Sequence, residues 1–170
     1  MAVLLRTAFL GLAAQGAQYD PAGCWYACAS MLAQHFRLSP RISPQELARR
    51  NLAGGVLGAP ATGRGPANLG SSDHELLALQ ERWNSVPRCD TAHTYTLIEL
   101  EDRLRTRGPI LFYWIKQAAA GLYGHVCVMI GTDAIGIIHH DPENAPGARM
   151  NIGAFNAARQ RWRCALMQRG

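Results

Sequence analysis

The sequence predicts an α+β fold in which a helical first part is followed by an antiparallel sheet. Apolar residues recur at helical spacing as far as residue 107. The pattern becomes strand-like after Gly108-Pro109, a pair that ends helices. Helices followed by a run of strands are typical of an α+β domain, here with two lobes and a cleft between them.

Length and composition are those of one globular domain. The chain has 170 residues, of which 48% are hydrophobic and 17% are charged, so it can bury a core without a disulfide framework. Its five cysteines are scattered and odd in number, so at least one thiol is expected outside any disulfide. We therefore predict a single domain over residues 1–170, with a helical lobe at about 23–107 and a sheet lobe at about 108–168 that includes an N-terminal strand.

The helical part carries four predicted helix starts. The first lies at Cys24, where the following apolar residues keep helical spacing to Phe36. The other three show the hydroxyl-to-carboxylate spacing of a capping box: Ser43-Pro44-Gln45-Glu46, Ser72-Asp73-His74-Glu75 and Thr96-Leu97-Ile98-Glu99. Between the first two boxes, residues 53–70 are rich in Gly and Pro and are predicted to form a surface loop.

The second part alternates as strands do. Strands are predicted at 109–115, 124–131, 135–141 and 162–167, with a short helix at 153–161 before the last of them. An apolar extended segment at 3–12 is expected to join the same sheet.

Cys24 stands at the first turn of a predicted helix, directly after Gly23. A helix N-terminus carries about half a positive charge, which favours a thiolate over a thiol. The position suits a reactive nucleophile, and it equally suits a small buried core residue. Its location alone does not decide between the two.

A predicted hairpin brings a histidine and an aspartate together. If 124–131 and 135–141 pair around Thr132-Asp133-Ala134, residue 128 faces 138 and His125 faces Asp141. A carboxylate in that place would hold an imidazole N–H. A slip of one residue would put His140 opposite His125 instead. The alternative is a turn aspartate before Pro142 and a structural histidine at a strand end.

Together these residues form the set required for thiol-dependent acyl transfer. Cys24 would be the nucleophile, His125 the base that takes its proton, and Asp141 the acid that fixes the imidazole tautomer. The developing oxyanion needs donors, for which the Cys24 backbone N–H and the side chain of Gln18 are candidates. Gln15 is the rival of Gln18, and a surface glutamine without a role is the remaining alternative.

These segments resemble the papain-like cysteine proteases. Gln18-Tyr-Asp-Pro-Ala-Gly-Cys24-Trp25 is similar to the glutamine, six-residue offset and Cys-Trp pair of that family. The second half resembles small bacterial members, namely the avirulence-protease branch of plant-pathogen effectors and the bacteriocin-processing peptidases. The segments that carry this are Gly108-Pro109-Ile110, the run 124–131 and His140-Asp141-Pro142.

The resemblance implies a papain-like fold with the nucleophile at a helix N-terminus of the helical lobe, and peptide-bond cleavage through a Cys24, His125 and Asp141 triad with Gln18 at the oxyanion. Papain itself has an asparagine as third member, whereas this chain has Asp141, as the bacterial branches do. The resemblance also implies a polypeptide substrate, no cofactor, and a cognate inhibitor or immunity protein if the protein is a toxin.

Other classes of partner are not predicted. The net charge of +5 comes from dispersed arginines, so nucleic-acid binding is not expected. No apolar run reaches the ~20 residues of a membrane helix. The run at 3–12 is at the short limit for a signal peptide, so we expect a bacterial protein that is cytoplasmic in its producer or is delivered to a target cell without such a signal.

Three alternatives stay open at this level. The same triad would serve a peptidoglycan amidase or an acyl transferase, although such amidases usually place a histidine third. A catalytically inactive binding module on the same fold is another, but it would have no need of all four chemical groups. A zinc site at Cys24, Cys28 and His35 lacks a second ligand pair, so no metal is predicted.

Overall fold

The computed structural model describes residues 2–9, 24–37, 93–118, 121–161 and 166–168. Within these ranges lie six strands and three helices. In chain order they are β1 (Val3–Leu4), α1 (Cys24–His35), α2 (Leu97–Arg107), β2 (Ile110–Ala118), β3 (Gly121–Thr132), β4 (Gly136–Asp141), β5 (Ala145–Asn151), α3 (Ile152–Arg161) and β6 (Leu166–Met167).

The described strands form one antiparallel sheet with the order β5-β4-β3-β2-β6. The central strand β3 pairs with β2 from Ile110↔Met129 to Ala118↔Gly121. Beyond Met129, past the first residue of β2, β1 pairs with β3 through Val3↔Thr132 and Leu4↔Gly131. The N-terminal strand therefore joins the sheet as predicted, over fewer residues than the extended segment at 3–12.

Helix α2 confirms the third predicted capping box. The N–H of Glu99 donates to Thr96 Oγ1 at 3.2 Å, and the N–H of Thr96 donates to Glu99 Oε2 at 2.7 Å. The helix ends at Gly108, whose φ of 85° suits glycine and whose N–H donates to Leu104 O. The capping boxes at Ser43 and Ser72 and the loop at 53–70 lie outside the described residues.

The core lies between one face of the sheet and helices α2 and α3. Phe112 packs edge-to-face against Phe155 of α3, with ring centroids 5.5 Å apart. Burying each such side chain contributes about 1.5–3 kcal/mol, so this layer holds the two helices to the sheet. The fully buried members that line it are Leu100, Leu104, Ile110, Phe112, Cys127, Met129, Ile137 and Leu166.

The predicted hairpin register was wrong, by two residues on the side of His125 and by three on the side of the turn. Val128 pairs with His140 and Met129 with His139, and beyond an irregularity between Met129 and Gly131 the last pair is Thr132↔Ile137. The connection is longer than predicted because Asp133 organises it. Its side chain accepts from the N–H groups of Ile135 and Gly136, and its own N–H donates to Gly136 O.

Strand β5 was not predicted. It pairs with β4 from Gly136↔Asn151 to Asp141↔Ala145 and forms an edge of the described sheet, where Pro146 is tolerated. The helix predicted at 153–161 is confirmed as α3. Of the strand predicted at 162–167, only β6 falls within the described residues.

Helix α1 packs against β3. Its buried residues Ala27, Cys28, Met31 and Leu32 recur at helical spacing and are at most 1% exposed. The Cys28 thiol donates to Val126 O at 3.2 Å, which fixes the helix on the strand. None of the described helices is both long and apolar enough to cross a bilayer.

The segment at 5–9 ties α1 to the sheet. Leu5 N–H donates to Ile130 O at 2.8 Å. Thr7 contacts both elements. Its Oγ1 lies 3.1 Å from His35 Nδ1 at the end of α1. Its backbone O accepts a hydrogen bond from His140 Nε2 of β4 at 2.8 Å. Because Gly147 N–H donates to His140 Nδ1, the His140 proton lies on Nε2.

Candidate active site

His125 of β3 and Asp141 at the end of β4 are in direct contact. His125 Nε2 lies 2.7 Å from Asp141 Oδ1, and their side chains are 1% and 5% exposed. The sequence predicted this contact from a register that was wrong. On the side of His125 the error was an even number of residues, so it left Asp141 on the same face of the sheet as His125. The two side chains meet diagonally, within the reach of a histidine and an aspartate.

Four donors surround the Asp141 carboxylate. Oδ1 accepts from His125 Nε2 and from the N–H of Glu143 at 3.0 Å, and Oδ2 accepts from Lys116 Nζ and Asn144 Nδ2 at 2.7 Å each. Burial alone would raise the pKa of Asp141, but the hydrogen bonds from His125, Lys116 and Asn144 outweigh burial and hold this pKa well below its ordinary value. Asp141 is therefore ionised.

The ionised carboxylate fixes the imidazole tautomer. A carboxylate can only accept hydrogen bonds, so His125 Nε2 carries a proton. Nδ1 is then the ring nitrogen that is left to accept a proton from a nucleophile. This is the arrangement that a general base needs.

Two residues that sequence reasoning missed complete the cluster. Lys116 Nζ lies 2.7 Å from Asp141 Oδ2 and 2.8 Å from Glu143 Oε2, and Glu143 Oε1 lies 3.5 Å from His125 Nδ1. Burial would lower the pKa of Lys116, but its hydrogen bonds to Asp141 and Glu143 raise that pKa above the ordinary value. The sequence offered one signal that Lys116 is unusual, because it is the only lysine among the chain's 17 Lys and Arg residues.

Cys24 is the first residue of α1 and is 3% exposed. Cys28, one turn later on the same side of the helix, donates to the carbonyl of Val126, the residue that follows His125. One helical turn rises about 5.4 Å, so Cys24 lies about one turn from the point where α1 contacts the residue after His125. The structure thus places the predicted nucleophile and base on two elements packed together.

The other described thiols have different surroundings. Cys24, Cys28 and Cys127 are all buried and none forms a disulfide. Burial, together with Cys127, Cys24 and Asp141 nearby, raises the pKa of Cys28 well above its ordinary value. Cys28 therefore stays protonated and serves as a hydrogen-bond donor. The predicted oxyanion donor Gln18 and its rival Gln15 lie outside the described residues, so that assignment stays a prediction.

The cluster also contains a set of atoms with metal-ligand chemistry. One ligand atom each of His125, Cys127 and Asp141 lies within 4.8 Å of the others. The Lys116 ammonium already occupies the Asp141 carboxylate and would repel a divalent cation. We therefore interpret the cluster as a hydrogen-bonded pair with an adjacent thiol. The alternative zinc site at Cys24, Cys28 and His35 is excluded by distance, because Cys24 and His35 lie at opposite ends of α1, about 16 Å apart.

Comparisons with known proteins identify the family and support the fold. Residues 11–160 match the family described as papain-like cysteine protease AvrRpt2, a range that includes all four predicted site residues. A crystal structure from Bacillus anthracis, described as a C39-like peptidase, superimposes with a TM-score of 0.63 at 12% sequence identity. The alignment covers 99% of this chain and 97% of that chain. At this identity the likeness concerns the fold.

Proposed function

Because the chain belongs to the papain-like cysteine protease AvrRpt2 family and is therefore a cysteine peptidase, we propose that Cys24, His125 and Asp141 form its catalytic triad. The contact of 2.7 Å between His125 Nε2 and Asp141 Oδ1 is the observation that carries the proposal. It leaves Nδ1 for the nucleophile, and Cys24 is the described thiol at a helix N-terminus. Gln18 and the Cys24 backbone N–H are the proposed oxyanion donors.

The reaction follows from these assignments. His125 Nδ1 takes the Cys24 proton, and the thiolate attacks the carbonyl carbon of a peptide bond. The tetrahedral intermediate collapses when Nδ1–H protonates the leaving amine, which leaves an acyl-enzyme on Cys24. Water, deprotonated by Nδ1, then releases the acyl group and restores the thiol. Asp141 stabilises each imidazolium that forms during this sequence.

The proposed domain has two lobes. Residues 23–107 would form the helical lobe that presents Cys24, and residues 108–168 with β1 would form the sheet lobe that presents His125 and Asp141. The packing of α1 on β3 supports this division. A polypeptide substrate would lie in the cleft between the lobes.

We also propose a biological setting. The resemblance to the avirulence-protease branch supports a bacterial effector or toxin that leaves its producer by a route independent of a signal peptide. A cognate inhibitor or immunity protein would then restrain it. Co-purification of the Cys24→Ser variant with proteins of the producing strain would test for that inhibitor, since a mutated nucleophile does not consume its partner.

Mapping of new protein N-termini tests the catalytic proposal. A whole-cell lysate incubated with the wild type should acquire N-termini that are absent with Cys24→Ser. Cys28→Ser is the matched control, because it replaces a thiol in the same helix but keeps a donor for Val126 O, and we expect activity within about tenfold of the wild type. Equal cleavage by Cys24→Ser would overturn the assignment. Release of soluble fragments from peptidoglycan, without cleavage of lysate proteins, would indicate an amidase instead.

A further inference from the structure

The His125 ring lies between two carboxylates. Asp141 Oδ1 binds Nε2 at 2.7 Å, and Glu143 Oε1 lies 3.5 Å from Nδ1 on the other side of the ring. The triad uses only the first of these. Glu143 is 15% exposed, so water screens its charge only in part.

Lys116 makes this arrangement possible. Two carboxylates in one half-buried cluster repel each other, and the single ammonium of Lys116 bridges them at 2.7 and 2.8 Å. The turn after β4 adds a second link, since the Glu143 N–H donates to Asp141 Oδ1. The position of Glu143 is therefore set by both ends of the residue, its backbone on Asp141 and its side chain on Lys116.

A carboxylate at this position distinguishes the two protonation states of His125. The lone pair of a neutral Nδ1 is repelled by Glu143 Oε1, whereas a protonated Nδ1 is attracted to it. Transfer of the Cys24 proton breaks one S–H bond, forms one N–H bond and converts a neutral pair into a thiolate and an imidazolium. Glu143 gains no proton in this step. Its charge acts most strongly on the nearer partner, the imidazolium.

Other titratable groups face the ring from each packed element of the described structure. Asp141 is ionised and Cys28 protonated for the reasons given above. Burial lowers the pKa of His139 to about 4, so it is neutral at the pH values used below. The titratable groups on these elements are Cys24 and Cys28 from α1, Lys116 from β2, Cys127 from β3, His139 and Asp141 from β4, and Glu143 from the following turn, whereas His140 of β4 lies on the opposite face of the sheet, where its Nε2 donates to Thr7 O.

We propose that Glu143 is a positioning residue that favours the thiolate–imidazolium pair of Cys24 and His125, and that Lys116 holds Glu143 in place beside Asp141. This inference rests on the proposed triad. It assigns to the turn after β4 a part in setting the pH range over which the nucleophile is ionised.

The test measures Cys24 itself and needs no substrate. The rate of alkylation by iodoacetamide is followed by peptide mapping at about pH 6, where a thiolate depends on the imidazolium, and at about pH 9.5, where it does not. An opposite charge this close changes the proton affinity of a group about tenfold. Glu143→Gln should therefore lower the ratio of the alkylation rate at pH 6 to the rate at pH 9.5 about tenfold. Asp102→Asn, which removes an exposed carboxylate on α2, should leave the ratio unchanged.

Two further variants separate charge from structure. Glu143→Asp keeps the charge and should restore most of the ratio. If Glu143→Gln does not fold, Lys116→Gln tests the same placement, because without the ammonium Glu143 is no longer held beside the His125 ring and the ratio should fall. An unchanged ratio in Glu143→Gln, an equal slowing at both pH values, or a rise in Lys116→Gln would overturn the inference while leaving the triad intact. If wild-type Cys24 is not alkylated ahead of the other cysteines, the triad itself fails, and the inference fails with it.

Discussion

The two ends of the β3–β4 hairpin are each organised around an aspartate, yet they serve different purposes. At the turn end, Asp133 accepts from two backbone N–H groups and from Arg149 Nε, and the Arg149 side chain is 71% exposed. At the open end, Asp141 also accepts from a backbone N–H and a basic side chain, but it is buried and binds His125. Similar hydrogen bonds to an aspartate stabilise an exposed turn at one end and orient the proposed general base, His125, at the buried end.

The same contrast holds for two histidines on one face of the sheet. His139 is buried against the edge of Phe112, with ring centroids 5.5 Å apart, and burial is the main cause that lowers its pKa to about 4. His125 is buried as deeply but lies between carboxylates. Burial disfavours the protonated form of an imidazole, whereas an adjacent ionised carboxylate stabilises that form.

The largest expected effect comes from neutralising the aspartate at the open end. Asp141→Asn should lower kcat/KM by about 10³- to 10⁴-fold, because an amide no longer fixes the Nε2–H tautomer of His125. Asp133→Asn at the turn end is the matched control and should stay within about threefold of the wild type. Steady-state kinetics on a cleaved peptide would show this, and equal losses in both variants would erase the distinction between the two ends.

At the turn end, backbone proximity should matter more than charge. A Cβ added at Gly131 would lie 2.3 Å from Val3 O, so Gly131→Ala must displace β1 and should lower the free energy of unfolding by about 2 kcal/mol. Gly153→Ala meets only a side-chain oxygen at 3.1 Å and should change it by less than about 0.5 kcal/mol. Urea unfolding measures both. A Gly131→Ala protein as stable as the wild type would contradict the described β1 pairing.

His139 should give the protein a stability that depends on pH. Its folded pKa of about 4 lies below its unfolded value, so the unfolded chain binds more protons between these values and stability falls as the pH falls through that window. Between pH 7 and pH 5 this amounts to about 2 kcal/mol. His139→Leu should flatten the dependence, measured by urea unfolding at both pH values, whereas exposed His93→Gln should not.

The smallest effect is expected from the exposed ion pair. Arg149→Ala removes the cation from Asp133 but leaves both backbone hydrogen bonds of the turn, so the Tm should fall by less than about 2 °C. Calorimetry would measure it. A larger fall would mean that the turn end depends on charge as much as the open end does.

What the sequence could predict depended on local periodicity. The alternation of β3 and β4 was enough to put His125 and Asp141 on one face, so their contact survived an error in register. The capping box at Thr96 was likewise a local signal. Strand β5 gave no such signal, because Pro146 and Gly147 interrupt its alternation and its pairing with β4 is what makes it a strand.

The cluster around Asp141 could not be derived in this way. Lys116 reaches Asp141 from a different strand, and only the folded sheet brings them to 2.7 Å. Glu143 follows Asp141 closely in sequence, but nothing in the sequence directs its side chain to the His125 ring. The approach of α1 to β3 is also non-local, since it joins Cys28 to Val126 across 98 positions.

Thr7 has a mechanical consequence for the proposed cleft. This one residue contacts the last residue of α1, His35, and an inner strand of the described sheet, β4, through His140. If α1 tilts away from the sheet, at least one of these two contacts must break. Thr7 would thus limit how far the proposed cleft can open, although it lies more than a hundred positions from His125 in the sequence.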